Sequence, residues 1–293
     1  MGREKKRSFI YLKERVWKKL QGWKEKLLSI LGRAVLIKAV IQVIPTYTMS
    51  CFKLPKGLIK ELEVLIRKFW WGYNDDSRKV HWVSWERLCE AKEVGGMGFK
   101  EIKKFNKALL AKQVWWMLHN PESLCFRVFK AWFFPNCSIL DAKEPNSSSY
   151  AWKSILGAWD VIRKGMVWRM GNGQSIQIKE DKWLPVKPSR VIISPLPSVM
   201  AKAKVSSLIN PNLGLWKSEE VKCAFLPHEA SLVLGIPLSH KKPPDRVSWL
   251  CTPSGEFSTS SACKLLVALA STNCASSSNQ ANQRSFWKGI WKV

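Results

Sequence analysis

Tyr73-Asn74-Asp75-Asp76 sets two carboxylates side by side. Adjacent carboxylates on a tight hairpin can hold two metal ions, which activate a hydroxyl nucleophile and stabilise the leaving group. Asp75 and Asp76 would then be the ligands of a nucleotidyl transferase. That chemistry needs apolar strands on both sides to bury the hairpin. Here the box follows an apolar helical stripe that has already ended at Trp71-Gly72, and Ser77-Arg78-Lys79 comes next. No third carboxylate stands in a comparable strand upstream, because residues 1–60 contain only Glu4, Glu14 and Glu25. Asn-Asp-Asp-Ser is ordinary loop composition. The box reads as a loop, and the two-metal transferase is kept as the alternative.

Other reactive constellations are thinner. There is no Gly-x-Ser-x-Gly elbow, no Gly-x-x-x-x-Gly-Lys-Ser/Thr loop and no His-Glu-x-x-His. Gly95-Gly96-Met97-Gly98 lacks the strand before and helix after that a phosphate loop needs, and reads as a flexible turn. The 8 cysteines include no Cys-x-x-Cys pair, and His81, His119, His228 and His240 form no Cys/His ladder with them. The expectation is no metal, no cofactor and no small-molecule substrate, with buried free thiols in a reducing compartment.

What remains is charge. The 293 residues carry 48 Lys and Arg against 22 Asp and Glu, a formal +26. A compact state so charged repels itself unless something anionic neutralises it, and nucleic acid is the commonest such partner. The excess is densest at the start, where residues 1–38 hold 12 basic and 3 acidic side chains. Basic helix faces neutralise phosphates and release counterions without reading sequence. Arg3, Lys5, Lys6, Arg7, Lys18, Lys19, Lys24 and Arg33 are the candidate phosphate contacts, to RNA, DNA or a hybrid. The competing reading of each is a solvated helix face. The 17 tryptophans could stack on bases, but Trp23, Trp70, Trp115, Trp152, Trp159, Trp168 and Trp249 fall on apolar stripes or inward strand positions and read as core. Trp287 and Trp291, beside Lys288 and Lys292, are the exceptions.

The positioning elements follow from periodicity. Leu12, Val16, Leu20, Trp23, Leu27 and Leu31 predict a helix over 9–31, and further helices follow over 34–43, from Pro55 to Trp71, and over 105–118 and 124–134. Val80 to Trp85 reads as a short strand. Trp152, Ile155, Leu156, Trp159 and Ile162 predict one more amphipathic helix. Met166, Trp168 and Met170 alternate, Gly171-Asn172-Gly173 turns, and Ile176 and Ile178 alternate again, which predicts a hairpin. A second hairpin is expected from Val247 to Phe257 through Pro253-Ser254-Gly255, and Ser258 would cap a helix running to about Leu269. The fold class is therefore α+β, mainly helical: amphipathic helices in the N-terminal half, helix plus short β-hairpins in the C-terminal half. Glu144–Ser149 is the expected internal boundary. The segments are a basic helical region (1–72), a mixed loop and helical region (73–143), a small α+β connector (144–270), a polar linker (271–285) and a new start (286–293). No run is long and apolar enough for a membrane span, and the basic start lacks the apolar core of a secretory signal. An intracellular protein, nuclear or cytoplasmic, is expected, with the oligomeric state open.

These residues also carry a family resemblance. Leu20-Gln21-Gly22-Trp23-Lys24, Leu27-Leu28-Ser29 and Gly32-Arg33-Ala34-Val35-Leu36-Ile37-Lys38-Ala39-Val40 begin an ordered series of blocks. It continues through Ile44-Pro45-Thr46-Tyr47, Phe52-Lys53-Leu54-Pro55, Phe69-Trp70-Trp71-Gly72, His81-Trp82-Val83-Ser84-Trp85 and Gly95-Gly96-Met97-Gly98-Phe99 to Phe105-Asn106-Lys107-Ala108-Leu109-Leu110-Ala111-Lys112. Later pieces are Trp168, Gly171-Asn172-Gly173, Asp181, Trp183-Leu184, Asp245, Trp249, Ser254-Gly255 and Phe257-Ser258. The series resembles the region after the polymerase core of LINE-type (non-LTR) retrotransposon reverse transcriptases, of the plant type. Phe286-Trp287-Lys288-Gly289-Ile290-Trp291-Lys292 resembles the opening of the zinc-binding module that follows in such polyproteins. Lys179 and Cys263 depart from the pattern, standing where a tryptophan and an aromatic residue are usual. The resemblance implies that the metal-binding polymerase palm lies before the first block and any ribonuclease H domain beyond the last. The expectation is thus a non-enzymatic fragment of an RNA-directed DNA polymerase polyprotein that binds nucleic-acid backbones. A tryptophan-rich protein-interaction module is the remaining alternative.

Overall fold

Leu12, Val16 and Leu20 share one side of helix α1 (Ile10–Lys24), Phe9 stands just before it, and all four are buried. In the computed structural model, residues 6–24, 28–72, 82–143, 148–185, 190–211, 213–239 and 241–271 are described. Within them the chain forms two compact units, one of Met1–Ile162 with Ser258–Val293, the other of Arg163–Phe257. The architecture is α+β and mainly helical, with one two-stranded antiparallel sheet. The division falls at 162/163, whereas the expected boundary at 144–149 lies inside the first unit and partly outside the described residues.

In the first unit, α1 lies against α4 (Lys56–Trp70), whose whole predicted stripe (Leu58, Ile59, Leu62, Leu65, Ile66, Phe69, Trp70) is buried. The continuous helix expected over 9–31 is instead two. Ser29 Oγ accepts the Gly32 amide at 3.1 Å and starts α2 (Ile30–Leu36) afresh, because an N-cap serine satisfies a donor that a new helix leaves open. A π segment, Ile37–Ile41, then delivers Gln42 into the interior. There its side-chain amide pairs with the Lys100 backbone in both directions, at 3.0 and 3.2 Å. Helix α3 (Thr46–Cys51) follows, and α5 (Trp85–Cys89) begins inside the strand expected at 80–85, of which residues 80 and 81 lie outside the described residues, because Ser84 Oγ caps the helix through the Arg87 amide. The Gly95–Gly98 turn is tightly held. Gly95 and Gly98 have φ of +91° and +65°, and a Cβ on Gly96 would lie 2.1 Å from the Glu90 carbonyl oxygen.

Helix α6 (Ile102–His119) is apolar on most sides because α3, α4, α8 (Tyr150–Leu156) and α13 (Thr259–Ser271) all pack on it. Its one buried amide, Asn106, is fully used. Nδ2 donates to the carbonyls of Met49 (2.7 Å) and Phe52 (2.9 Å), and Oδ1 accepts the Leu54 amide (2.9 Å). Helix α7 (Leu124–Phe133) rests Phe129 and Phe133 on Trp152 of α8. The single helix expected over 152–162 breaks at Gly157-Ala158 into α8 and α9 (Trp159–Gly165), glycine being a poor helix former that closes α8. Ser258 caps α13 as predicted, accepting the Ser261 amide at 3.1 Å.

In the second unit the sheet is not the predicted pair of hairpins. Strand β1 (Met166–Arg169) pairs with β2 (Arg246–Trp249), Met166 opposite Trp249 and Arg169 opposite Arg246. The cause is Asp245. Its carboxylate accepts the amides of Gly171 (2.8 Å), Gly173 (2.9 Å) and Ser175 (2.8 Å), winding the loop after β1 around the residue that opens β2. Ile176 and Ile178 bond instead to Val205 and Ala203. The second expected turn does form locally, the Trp249 amide donating to the Gly255 carbonyl. Short helices, α10 (Ser198–Ala201), α11 (Ser218–Ala224) and α12 (Pro227–Leu234), complete the unit.

Two substitutions test these joints by urea unfolding. Asn106→Ala strands three backbone groups, two of them in buried bonds, and should cost the first unit about 3 kcal/mol. Asp245→Ala should destabilise the second by a similar ~3 kcal/mol, while Asn172→Ala beside it should stay within about 0.5 kcal/mol.

Candidate nucleic-acid interface

With Leu12, Val16 and Leu20 turned inward, helical spacing turns Arg15, Lys18 and Lys19 outward, and all three are exposed. Arg7, in the helical turn before α1, is exposed too. At 1.5 Å per residue, Arg7 to Lys19 covers about 18 Å. Glu14 is the exposed acid on this helix. The row can hold a polyanion by charge, since flexible exposed cations neutralise phosphates without a shaped pocket.

The eight predicted contacts do not form one patch. Arg7, Lys18 and Lys19 are exposed. Lys6 is drawn onto Glu61 of α4, which Lys13 also reaches at 3.1 Å. Hydrogen bonds from those two lysines hold the Glu61 carboxyl below the usual carboxylate range. Arg33 is half-buried, and its Nη1 donates to the Trp70 carbonyl at 2.9 Å, closing the end of α4 just before Gly72 turns at φ +62°. Lys24 ends α1. Arg3 and Lys5 lie outside the described residues, as do the Lys24 side chain, Asp75, Asp76, Trp287 and Trp291. Arg15 was missed by sequence reading, although it sits one turn from Lys18 on the face opposite the apolar stripe.

Of the tryptophans expected in the core, Trp70, Trp115, Trp152, Trp159, Trp168 and Trp249 are buried, and Trp23 is partly buried against the cluster that holds Trp70. Trp82 and Trp132 stand about four-fifths exposed. Among the described residues no group of three His, Cys, Asp or Glu could hold a metal ion, and no helix is long and apolar enough to cross a membrane. Burial pushes the Cys89 thiol up, and raises that of Cys263 to about 11. A cavity of about 130 Å³ in the second unit is lined by Gly171, Ser206 and Lys242 among others, smaller than the ~300 Å³ at which small-molecule sites begin.

Comparison with known proteins bears on the family. The "Uncharacterized mitochondrial protein AtMg00310" of Arabidopsis thaliana is 37% identical over 142 residues, which take in 48% of this chain and 92% of that protein. The chain belongs to that protein's family. The "Putative ribonuclease H protein At1g65750", also of Arabidopsis thaliana, is 31% identical over 308 aligned positions, 98% of this chain and 46% of that protein. The chain thus spans about half the length of that longer relative. No family model matches the chain. One expectation is corrected here. The chain was expected to be no enzyme, yet a relative named for ribonuclease H aligns along 98% of it, so the non-enzyme assignment is withdrawn.

Arg33 and Lys18 should separate in a urea titration. Arg33→Ala removes a charged hydrogen bond to a helix-ending carbonyl and should cost about 2 kcal/mol. Lys18→Ala, on an exposed face, should change stability by less than about 0.5 kcal/mol.

Proposed function

We propose that this chain is the substrate-gripping portion of a retroelement-derived enzyme that works on nucleic acid. In the parent polyprotein it corresponds to the stretch after a LINE-type reverse transcriptase core, and residues 286–293 open a zinc-binding module. The outward row of Arg7, Arg15, Lys18 and Lys19 holds RNA, DNA or a hybrid by its phosphates, without reading bases. The observation that carries this reading is that row, exposed along and just before α1 while Leu12, Val16 and Leu20 are buried, in a chain of formal charge +26. Two further facts support it. Residues 26–60 contain no carboxylate, so α2 and α3 add nothing that repels phosphate. The name of the longer relative, a ribonuclease H protein, also points to a nucleic-acid substrate.

The test is fluorescence anisotropy with a labelled 20-base-pair RNA–DNA hybrid across a potassium chloride series. Affinity should fall steeply, the log–log slope reflecting about 0.9 ions released per neutralised phosphate. Arg7→Ala, Arg15→Ala and Lys18→Ala combined should make that slope shallower by about 2 to 3. A dissociation constant indifferent to salt, or a slope unmoved by the triple variant, overturns the proposal.

A further inference from the structure

Helix α7 stands apart from the other long helices of the first unit in having no buried residue. At about 100° per residue, Phe126, Phe129 and Phe133 fall on one side, and that side is the inward one. Phe133 stacks on Trp152 and Phe129 packs against it at a tilt, with ring centroids at 5.3 and 5.4 Å, and Phe126 meets Phe134 at 5.7 Å. The rest of the circumference is open and ordered by chemistry. Arg127 and Lys130 form one border, Leu124, Ala131 and Val128 the middle, and Trp132 the other border; all six are exposed, Trp132 by 78%. The helix carries two cations and no carboxylate, and neither cation is in an ion pair with a described residue.

We infer that α7 is a stacking platform for single-stranded nucleic acid, phosphates running along the Arg127–Lys130 border and a base lying on the Trp132 indole. The two borders are opposite flanks of the exposed side, so a strand crossing the helix meets the cations on one flank and the indole on the other. Cations beside an exposed aromatic are the combination that holds a strand without sequence preference, and only an unpaired base offers the indole a free face. An acidic peptide would use the cations and leave Trp132 idle, whereas a single strand uses both. The inference rests on the proposed nucleic-acid function and deepens it, adding a preference for unpaired strand at a helix other than α1.

The experiment measures binding of the full chain to a labelled 20-nucleotide oligo(dT) and to a 20-base-pair duplex at one salt concentration, with the native protein, Trp132→Ala and Trp132→Phe. Trp132→Ala should weaken the oligo(dT) about ten-fold, within the range of one lost base–aromatic stack, and leave the duplex unchanged. Trp132→Phe should restore most of the loss. The substitution site is exposed, and circular dichroism verifies that the fold is kept. Equal effects on both probes, or no effect on oligo(dT), overturn the platform while leaving the α1 reading intact. Absence of binding to either probe overturns both. Capture of the native protein by phosphatidylserine vesicles that Trp132→Ala abolishes, with oligo(dT) binding untouched, assigns α7 to a lipid surface and also overturns it.

Discussion

Self-repulsion is the constraint under which everything else in this chain operates. With 48 basic side chains and 22 acidic ones, a carboxylate is a scarce resource, and several sit at structural joints. Glu61 draws Lys6 and Lys13 together and fastens the start of α1 to α4. Asp160 pairs with Lys107 at 2.7 Å. Asp245 organises three amides of the second unit. Glu229 accepts the amides of Ile193 and Ser194 at 2.7 and 3.1 Å, and the Ser194 hydroxyl besides. A carboxylate that ties backbone to backbone contributes more than one paired on an open surface, where solvent screens the attraction and the pair is worth roughly 0–1 kcal/mol. Acids placed at joints leave the cationic excess on the outside.

The apolar side of the first unit answers to a different limit. Helix α6 is covered on several sides, so any polar group within it must find partners inside the protein. Asn106 meets that demand by bonding to the end of α3 and to the turn at Phe52–Leu54, and Gln42, buried just after the π segment, meets the same demand there by pairing with the Lys100 backbone. Both amides act between segments far apart in sequence. They fix which turn lies against which helix, a choice that leucine and isoleucine contacts alone leave loosely specified.

That division explains what could be read in advance. The stripe of α4, and that of α1 as far as Leu20, were legible down to single residues, because a period of 3.6 with one buried side leaves a direct mark on the sequence; Leu31, counted on the same stripe, is exposed. The helix-starting role of Ser258 was legible from its local chemistry, a serine just before a helical stretch. The break at Ser29 and the split at Gly157 were not, since each is a single polar or small residue inside an otherwise continuous apolar rhythm. The pairing of β1 with β2 was hidden more deeply. Alternating residues around Gly171-Asn172-Gly173 satisfy the local hairpin pattern, and only a carboxylate many residues away redirects the strand. At the candidate interface, composition pointed to α1 but not to which of the predicted cations stay exposed. Lys6 and Arg33 look no different in sequence from Lys18, and differ only in having a carboxylate or an open helix end within reach.

Charge also couples the fold to its proposed ligand. Anything that binds the folded chain and not the unfolded one stabilises it by mass action, and a polyanion does so here for two reasons at once. It adds contacts at exposed cations such as Arg15, and it relieves the repulsion that those cations impose on one another when the chain is compact. Simple salt supplies only the second effect, because screening weakens repulsion and phosphate binding together. Stability and affinity therefore respond in opposite directions to ionic strength. As salt rises the bare chain gains stability while its hold on nucleic acid slackens, so the ligand contributes most to the folded state in dilute buffer, where the unliganded chain is weakest.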